Sequence, residues 1–266
     1  MVNKLRRGMG FVLFTVRSVR PFSMVLLIIT AKFIHKLLNI KLKNISLTFL
    51  SHKPLHITVN DIEQFTYLFN IFFSEPFKIS TSVSSSPVIV DGGANIGMSS
   101  LYFHFRYPQG RIYAIEPSCQ NIELLQRNLS EIPNLQIEQM AIWNESKELV
   151  FNISECTRYN SFFHTGEKCR AEKVKALCLS EWLDQKGLTK IDILKLNVEG
   201  AEANAIRGLG KRITDVGIIV GELHPQFVDK EMFIEELKGN NFILTRMEKM
   251  GKSTWSFEAY NPSFSQ

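Results

Sequence analysis

Cysteine is scarce in this chain: four in 266 residues (Cys119, Cys156, Cys169, Cys178), irregularly spaced and without a C-x-x-C pair. That excludes the disulfide framework of a small secreted domain, and without a histidine cluster nearby it offers no zinc site. A cytosolic protein with reduced thiols and no metal is expected. Gly 15 and Pro 9 are too few for a collagen-like or low-complexity chain. Long apolar runs are missing too. In the first sixty residues the longest uncharged stretch, Pro21 to Ala31, is eleven residues, against the ~20 that a spanning helix needs. The apolar stretch Gly8–Val16 ends at Arg17 and Arg20 with no convincing cleavage site after it, so a signal peptide is disfavoured as well. The most lopsided absence is acid. Residues 1–60 contain ten Lys/Arg and no Asp or Glu, whereas the other 206 residues hold 21 basic against 26 acidic groups. The formal charge of +5 therefore belongs to a basic lead-in on a mildly acidic body.

In that lead-in Phe11, Phe14, Phe22, Leu26, Ile29, Phe33 and Leu37 are interspersed with basic residues. The pattern suits a surface helix at an anionic membrane, or a helix packed on the body or on a partner subunit. Residues 1–59 read as this basic amphipathic extension, with peripheral membrane contact through residues 1–50. Residues 60–86 read as a lead-in helix and a linker. The helix has Ile62, Phe65, Leu68, Phe69, Phe72 and Phe73 at three- and four-residue spacing, and the linker has five serines between Ser80 and Ser86 before Pro87.

Residues 87–266 alternate short apolar strands with helical segments. Strands are expected at 88–91, 111–116, 135–142, 191–198 and 216–222, with helices at 95–107, 118–130, 179–186, 199–208 and 226–238. Two closing strands, 242–247 and 254–260, have no helix between them. Such alternation implies an α/β fold: a mostly parallel, doubly wound sheet with an antiparallel edge hairpin. The stretch 144–178 is less regular, with β-like runs near 148–153 and 173–178. Its Arg158, Tyr159, Asn160, Phe162, Phe163 and His164 are candidates for an acceptor wall.

Three motifs carry chemistry. In Val88-Ile-Val-Asp-Gly-Gly-Ala-Asn-Ile-Gly97 an apolar strand ends in Asp91, turns through glycines and enters a helix, placing a ligand at the strand's carboxyl end. The spacing is neither G-x-G-x-x-G nor a P-loop. An acid at that point repels phosphate and suits a cationic ligand end, such as the amino acid part of S-adenosylmethionine. In Tyr113-Ala-Ile-Glu-Pro117, Glu116 ends the second strand where doubly wound nucleotide folds hold ribose hydroxyls, and Pro117 stops the strand. Met140 and Ala141 close the third strand, at the expected adenine edge. In Ile191-Asp-Ile-Leu-Lys-Leu-Asn-Val-Glu-Gly-Ala-Glu202, Lys195 and Asn197 interrupt an otherwise apolar central strand on one face. A buried lysine needs a partner, and Glu199 or Glu202 is the natural neighbour.

These residues resemble the FkbM family of S-adenosylmethionine-dependent methyltransferases over roughly residues 60–260. The distinguishing run is Lys195-x-Asn197-Val-Glu-Gly-Ala-Glu202. The resemblance implies a seven-stranded Rossmann-like class I methyltransferase fold, and a hydroxyl acceptor on a glycan, lipid or natural product. By position it implies that Asp91, Gly93, Ala94, Asn95 and Gly97 line the cofactor's methionine end. Glu116, with Pro117, would hold the ribose. One departure matters: Asn197 stands where the family usually has Asp, and an amide is neither a carboxylate base nor a strong metal ligand.

Methyl transfer needs alignment of the acceptor and removal of its proton. In Glu222-Leu-His-Pro225 after the fifth strand, His224 or Glu222 is the expected base, and Glu222 could instead polarise the histidine or bind the acceptor. Lys195 and Asn197 would fix the geometry. Two alternatives stay open: a non-catalytic S-adenosylmethionine-binding protein of the same fold, and a nucleotide-binding Rossmann-like enzyme. A nucleic-acid partner is disfavoured by the acidic body and the absence of an N-P-P-Y-type tetrapeptide.

Overall fold

The computed structural model describes residues 19–20, 45–49, 55–60, 62–154, 163, 169–250 and 254–264. The expected amphipathic lead-in lies outside the described residues except for three short strands. So do all the acceptor-wall candidates except Phe163.

The chain forms two compact units. One comprises residues 1–75 and 124–131. In it β1 (Val19–Arg20), β2 (Ile45–Phe49) and β3 (Leu55–Val59) pair antiparallel in that order. The helix α1 (Ile62–Ser74) follows. Leu55, Ile57 and Val59 alternate inward from β3, and Leu68 and Ile71 of α1 are buried, as the three- and four-residue spacing requires. Asn128 accepts from the Thr58 N–H (2.8 Å) and donates to the Thr58 carbonyl (3.0 Å), so one amide side chain satisfies the backbone of β3 as a neighbouring strand would.

The other unit comprises residues 76–123 and 132–266. Its main sheet contains β4 (Val88–Gly92), β5 (Arg111–Ile115), β6 (Leu135–Glu138), β10 (Ile191–Leu196), β11 (Val216–Leu223), β12 (Ile243–Met250) and β13 (Thr254–Tyr260). The order is β12-β13-β11-β10-β4-β5-β6. The strands β4, β5, β6, β10 and β11 are parallel, and β13 runs antiparallel to both β11 and β12. Every residue of β10 and β11 is buried, as expected of central parallel strands covered on both faces.

The connecting helices are α2 (Met98–Arg106), α3 (Cys119–Leu129), α4 (Leu179–Lys186), α5 (Glu202–Arg207) and α6 (Lys230–Gly239). Besides α6, which starts four residues later than the sequence predicts behind its Asp229 cap, two helices, α2 and α5, start three residues late. In both cases left-handed backbone just upstream, at Gly97 and at Glu199–Gly200, postpones the first helical turn. The expected strand 135–142 is two strands. After β6 the chain bends at Gln139–Met140, and β7 (Ala141–Trp143) joins β9 (Cys169–Cys178) and β8 (Lys147–Ser154) in a separate sheet ordered β7-β9-β8. Ala141, Phe151, Val174 and Ala176 form a small core on this sheet.

The serine-rich linker is bound to the edge hairpin. Glu258 of β13 is fully buried and accepts from the Ser80 N–H and hydroxyl, both at 2.7 Å. Arg246 of β12 donates to the carbonyls of Pro76 (2.7 Å) and Lys78 (3.0 Å). A buried carboxylate is costly unless hydrogen-bonded, and here the linker supplies the donors.

Candidate active site

The strand order reverses at β4, which has β5 on one side and β10 on the other. In open α/β sheets ligands bind at this point, beyond the carboxyl ends of the strands. The chain leaves β4 through a loop with three left-handed residues, Gly93 (φ +75°), Asn95 (+53°) and Gly97 (+98°). Gly93 is required twice over, since a Cβ there would lie 1.9 Å from the Asn197 carbonyl oxygen. The N–H groups of Gly93 and Ala94 both donate to the Ile115 carbonyl at 3.0 Å. Asn95 tolerates its left-handed backbone through its side chain, which accepts from the Ile96 N–H at 2.8 Å.

Beneath this loop lies a sealed ionic network. Lys195 and Asp91 are opposite each other in the parallel β4–β10 register, both fully buried, with Nζ 2.8 Å from Oδ1. The same ammonium donates to the carbonyls of Gly93 (2.9 Å) and Gly92 (3.1 Å). The second Asp91 oxygen accepts from the hydroxyls of Ser99 (2.7 Å) and Ser100 (2.6 Å) at the start of α2. Two expectations are corrected here. The partner of Lys195 is Asp91, not Glu199 or Glu202, because strand register brings Asp91 alongside while the glutamates lie past the end of β10. Neither Asp91 nor Lys195 offers surface to a ligand. Together they fix the loop after β4 from beneath.

Glu116 is nearly as enclosed. Its carboxylate accepts from the Asn95 N–H (2.9 Å), the Ser118 N–H (3.0 Å) and Asn121 Nδ2 (3.0 Å). Burial pushes its pKa up, and these hydrogen bonds and the charge of Lys195 oppose the rise. Three of about four lone-pair directions are thus taken, leaving one for a ribose hydroxyl. Ala94 and Gly97 are buried in the loop. Met140 and Ala141 are also buried: Met140 packs in the main core and Ala141 in the core of the second sheet. Their side chains do not form an adenine edge, because the bend after β6 turns them into packing. Gly93, Asn95, Pro117, Asn197 and Glu199 remain half-buried along the carboxyl edge.

The acceptor side of that edge is built around His224. Its Nδ1 lies 2.8 Å from Glu202 and its Nε2 lies 3.2 Å from Glu199. Glu202 is fully buried and also accepts from the Gly200 N–H at 3.1 Å. Burial alone would push the imidazole pKa down. The hydrogen bond and charge of Glu202, with the charges of Glu199 and Glu222, override burial and bring it up to about 9. His224 therefore already carries its proton at neutral pH, and the expected role as neutral base is corrected. Glu222 is buried on β11, opposite Ser256 of β13, and its charge helps hold the proton on His224. Sequence reasoning assigned Glu199 and Glu202 to the wrong cation. It also missed Ser99 and Ser100, whose position one turn after the glycine loop was the available signal. Phe163 and Phe227 stack at 4.7 Å and 13°. Gly200 (φ +101°) lies directly under them, since a Cβ there would meet both rings within 2.8 Å. Among the described residues no group of three or more His, Cys, Asp or Glu is arranged to hold a metal ion.

The seven-stranded order, the glycine loop after the first parallel strand and the acid after the second define a Rossmann-like class I methyltransferase fold. The chain belongs to the FkbM methyltransferase family: the methyltransferase FkbM domain matches residues 91–253. That family uses S-adenosylmethionine. The cradle fits it, because the loop is held open by Gly93 and Asn95 and a carboxylate lone pair remains at Glu116. Methyltransferase 1 of Beauveria bassiana is 31% identical over 161 residues, 52% of this chain and 64% of that protein. This match thus spans less than two thirds of that relative. The 2-O-methyltransferase NoeI of Sinorhizobium fredii is 21% identical over 175 residues, 60% of this chain and 70% of that one. Among solved structures, the methyltransferase FkbM of Methylobacillus flagellatus KT aligns with a TM-score of 0.49 at 13% identity, covering 75% of this chain and 54% of that chain.

Proposed function

We propose that this protein is an S-adenosylmethionine-dependent methyltransferase acting on a hydroxyl oxygen of a glycan, lipid or natural product. The observation that carries the reading is the fixed glycine loop at the strand-order reversal, with half-exposed Gly93, Asn95, Pro117, Asn197 and Glu199 around it. The cofactor supplies an electrophilic methyl group. The protein holds the loop through Asp91 and Lys195, orients the ribose at Glu116, and aligns the acceptor near Asn197. The name of the NoeI relative supports oxygen as the atom methylated. Asn197 favours a second reading, a binder that keeps the cradle without turnover, because an amide replaces the family's usual carboxylate.

The cellular setting is part of the same proposal. Among the described residues no helix is long and apolar enough to cross a membrane, and the ten basic residues before position 60 suit contact with an anionic lipid surface from the cytoplasmic side. The acceptor would then be met at or near that surface, and nucleic acid is not the partner proposed.

Titration with S-adenosylmethionine, S-adenosylhomocysteine and NAD, followed by labelled-methyl transfer to glycan, lipid and small-molecule pools, tests the reading. Micromolar affinity for the first two ligands and label in one pool are expected. Binding of S-adenosylhomocysteine with no label in any pool would establish the binder instead, and affinity for NAD alone would overturn both.

A further inference from the structure

Of the carboxylates around the loop after β4 and His224, Glu199 is the most exposed. Asp91 and Glu202 are fully buried, and Glu116 and Glu222 nearly so, whereas the Glu199 side chain is 28% exposed. It follows Asn197, whose backbone carbonyl faces Gly93, and Val198, whose side chain does so, so it lies beside the loop after β4 and not at a remote edge. Its backbone is left-handed (φ +49°), a conformation that disfavours any residue with a Cβ. Gly200 continues the turn at φ +101°, and Glu202 fastens it by accepting the Gly200 N–H. The turn delivers the Glu199 carboxylate to His224 through Oε2. Held between Glu202 and Glu199, the His224 ring fixes where the Glu199 carboxylate points. On the other side of the same turn stands the Phe163–Phe227 pair, packed against Gly200 and half-exposed.

We propose that this turn is the acceptor half of the site. Glu199 takes the proton of the acceptor hydroxyl, and the Phe163–Phe227 pair receives an apolar face of the acceptor beside it. His224 and Glu202 are positioning residues. The proposal rests on the methyltransferase reading above. As the acceptor oxygen attacks, positive charge builds on it and its O–H bond breaks toward the Glu199 carboxylate. The oxygen gains the methyl carbon, and the electron pair of the broken carbon–sulfur bond stays on sulfur as a neutral thioether. The proton then leaves Glu199 for solvent through its exposed side. The acceptor chemistry is a hydroxyl next to an apolar face, which a sugar ring or a lipid can each supply.

The test uses the full chain with S-adenosylhomocysteine calorimetry, and labelled-methyl transfer to a glycan pool and a lipid pool as separate arms. Wild type labelling one arm identifies the source. Glu199→Gln is expected to bind S-adenosylhomocysteine within about threefold of wild type and to lose roughly 100-fold or more in kcat, the usual range for a general base. Glu199→Asp, which keeps the carboxylate one methylene short, should recover part of the loss. Phe227→Ala should raise KM about tenfold with kcat nearly unchanged. Turnover of Glu199→Gln within threefold of wild type overturns the proposal, and so does loss of S-adenosylhomocysteine binding in that variant, which would make the turn part of the cofactor cradle. Wild type that binds the cofactor product but labels neither arm nor a small-molecule pool overturns the methyltransferase reading itself, and the proposal with it.

Discussion

Replacing Lys195 by Met keeps most of the side-chain volume and removes only the charge, which makes it a sharp probe of the sealed network. The ammonium has three N–H groups and three acceptors, Asp91 Oδ1 at 2.8 Å and the carbonyls of Gly93 and Gly92 at 2.9 and 3.1 Å. In Lys195→Met the buried Asp91 carboxylate keeps the two serine hydroxyls and loses its counter-charge. Breaking a buried pair from one side costs about 3–5 kcal/mol. The two abandoned carbonyls add roughly 1 kcal/mol or more each, but losses within one network do not sum. A destabilisation of about 4 kcal/mol is therefore expected, a large share of the ~5–15 kcal/mol typical of a domain. At this size it corresponds to about 8–16 °C in Tm. Urea unfolding at 25 °C measures it. S-adenosylhomocysteine titration should show Kd rising about tenfold or more as the Gly92 and Gly93 carbonyls lose their anchor. The double variant Asp91→Asn/Lys195→Met should be less destabilised than the two single losses combined, by about 2 kcal/mol or more. Stability within about 1 kcal/mol of wild type, with Kd unchanged, would refute the reasoning. If turnover alone disappeared, Lys195 would return to the reacting groups.

Three further outcomes are expected. The His224 pKa of about 9 lies above the ordinary histidine value. Its stabilisation is therefore fully present below about pH 6.5 and is lost as pH rises through 9, lowering the unfolding free energy by about 3 kcal/mol across that window. Urea midpoints measured against pH in wild type and His224→Gln check this, and the variant should be flatter. Gly93→Ala forces a Cβ to within 1.9 Å of the Asn197 carbonyl oxygen at φ +75°. It should abolish S-adenosylhomocysteine binding by calorimetry even where the protein still folds. Glu258→Ala leaves the Ser80 N–H and hydroxyl without their acceptor. A loss of about 2–3 kcal/mol is expected by urea unfolding, with cofactor affinity within twofold of wild type.

The parallel core was legible because its signals are local and redundant: apolar strands, helical spacing, and glycines where β4 turns. The antiparallel edge could be read from two strands with no helix between them. What could not be read depended on register or on a bend. Lys195 is four residues from Glu199 along the chain, yet lies directly beside Asp91 across the sheet. Periodicity says which face a side chain takes and nothing about which residue stands opposite. Met140 and Ala141 looked like the end of one strand, and the bend after Glu138 moved Ala141 into a second sheet. His224 was correctly placed at the edge, but its protonation depends on two glutamates brought in by a left-handed turn at Glu199, an unusual conformation that no pattern announces.

The linker before β4 shows where this domain begins as a physical object. Cut at Pro87, immediately before the first parallel strand, the protein would retain its whole main sheet and yet lose Ser80 from Glu258, two backbone carbonyls from Arg246, and the Phe77 ring, which lies 5.2 Å from the Lys195 ammonium. Phe77 is fully buried, so its removal would open a void against the charge that steadies the cofactor loop. Residues 76–80 thus serve as a plug fitted from outside the sheet, and a truncation that is to keep the cradle intact has to begin upstream of Pro76.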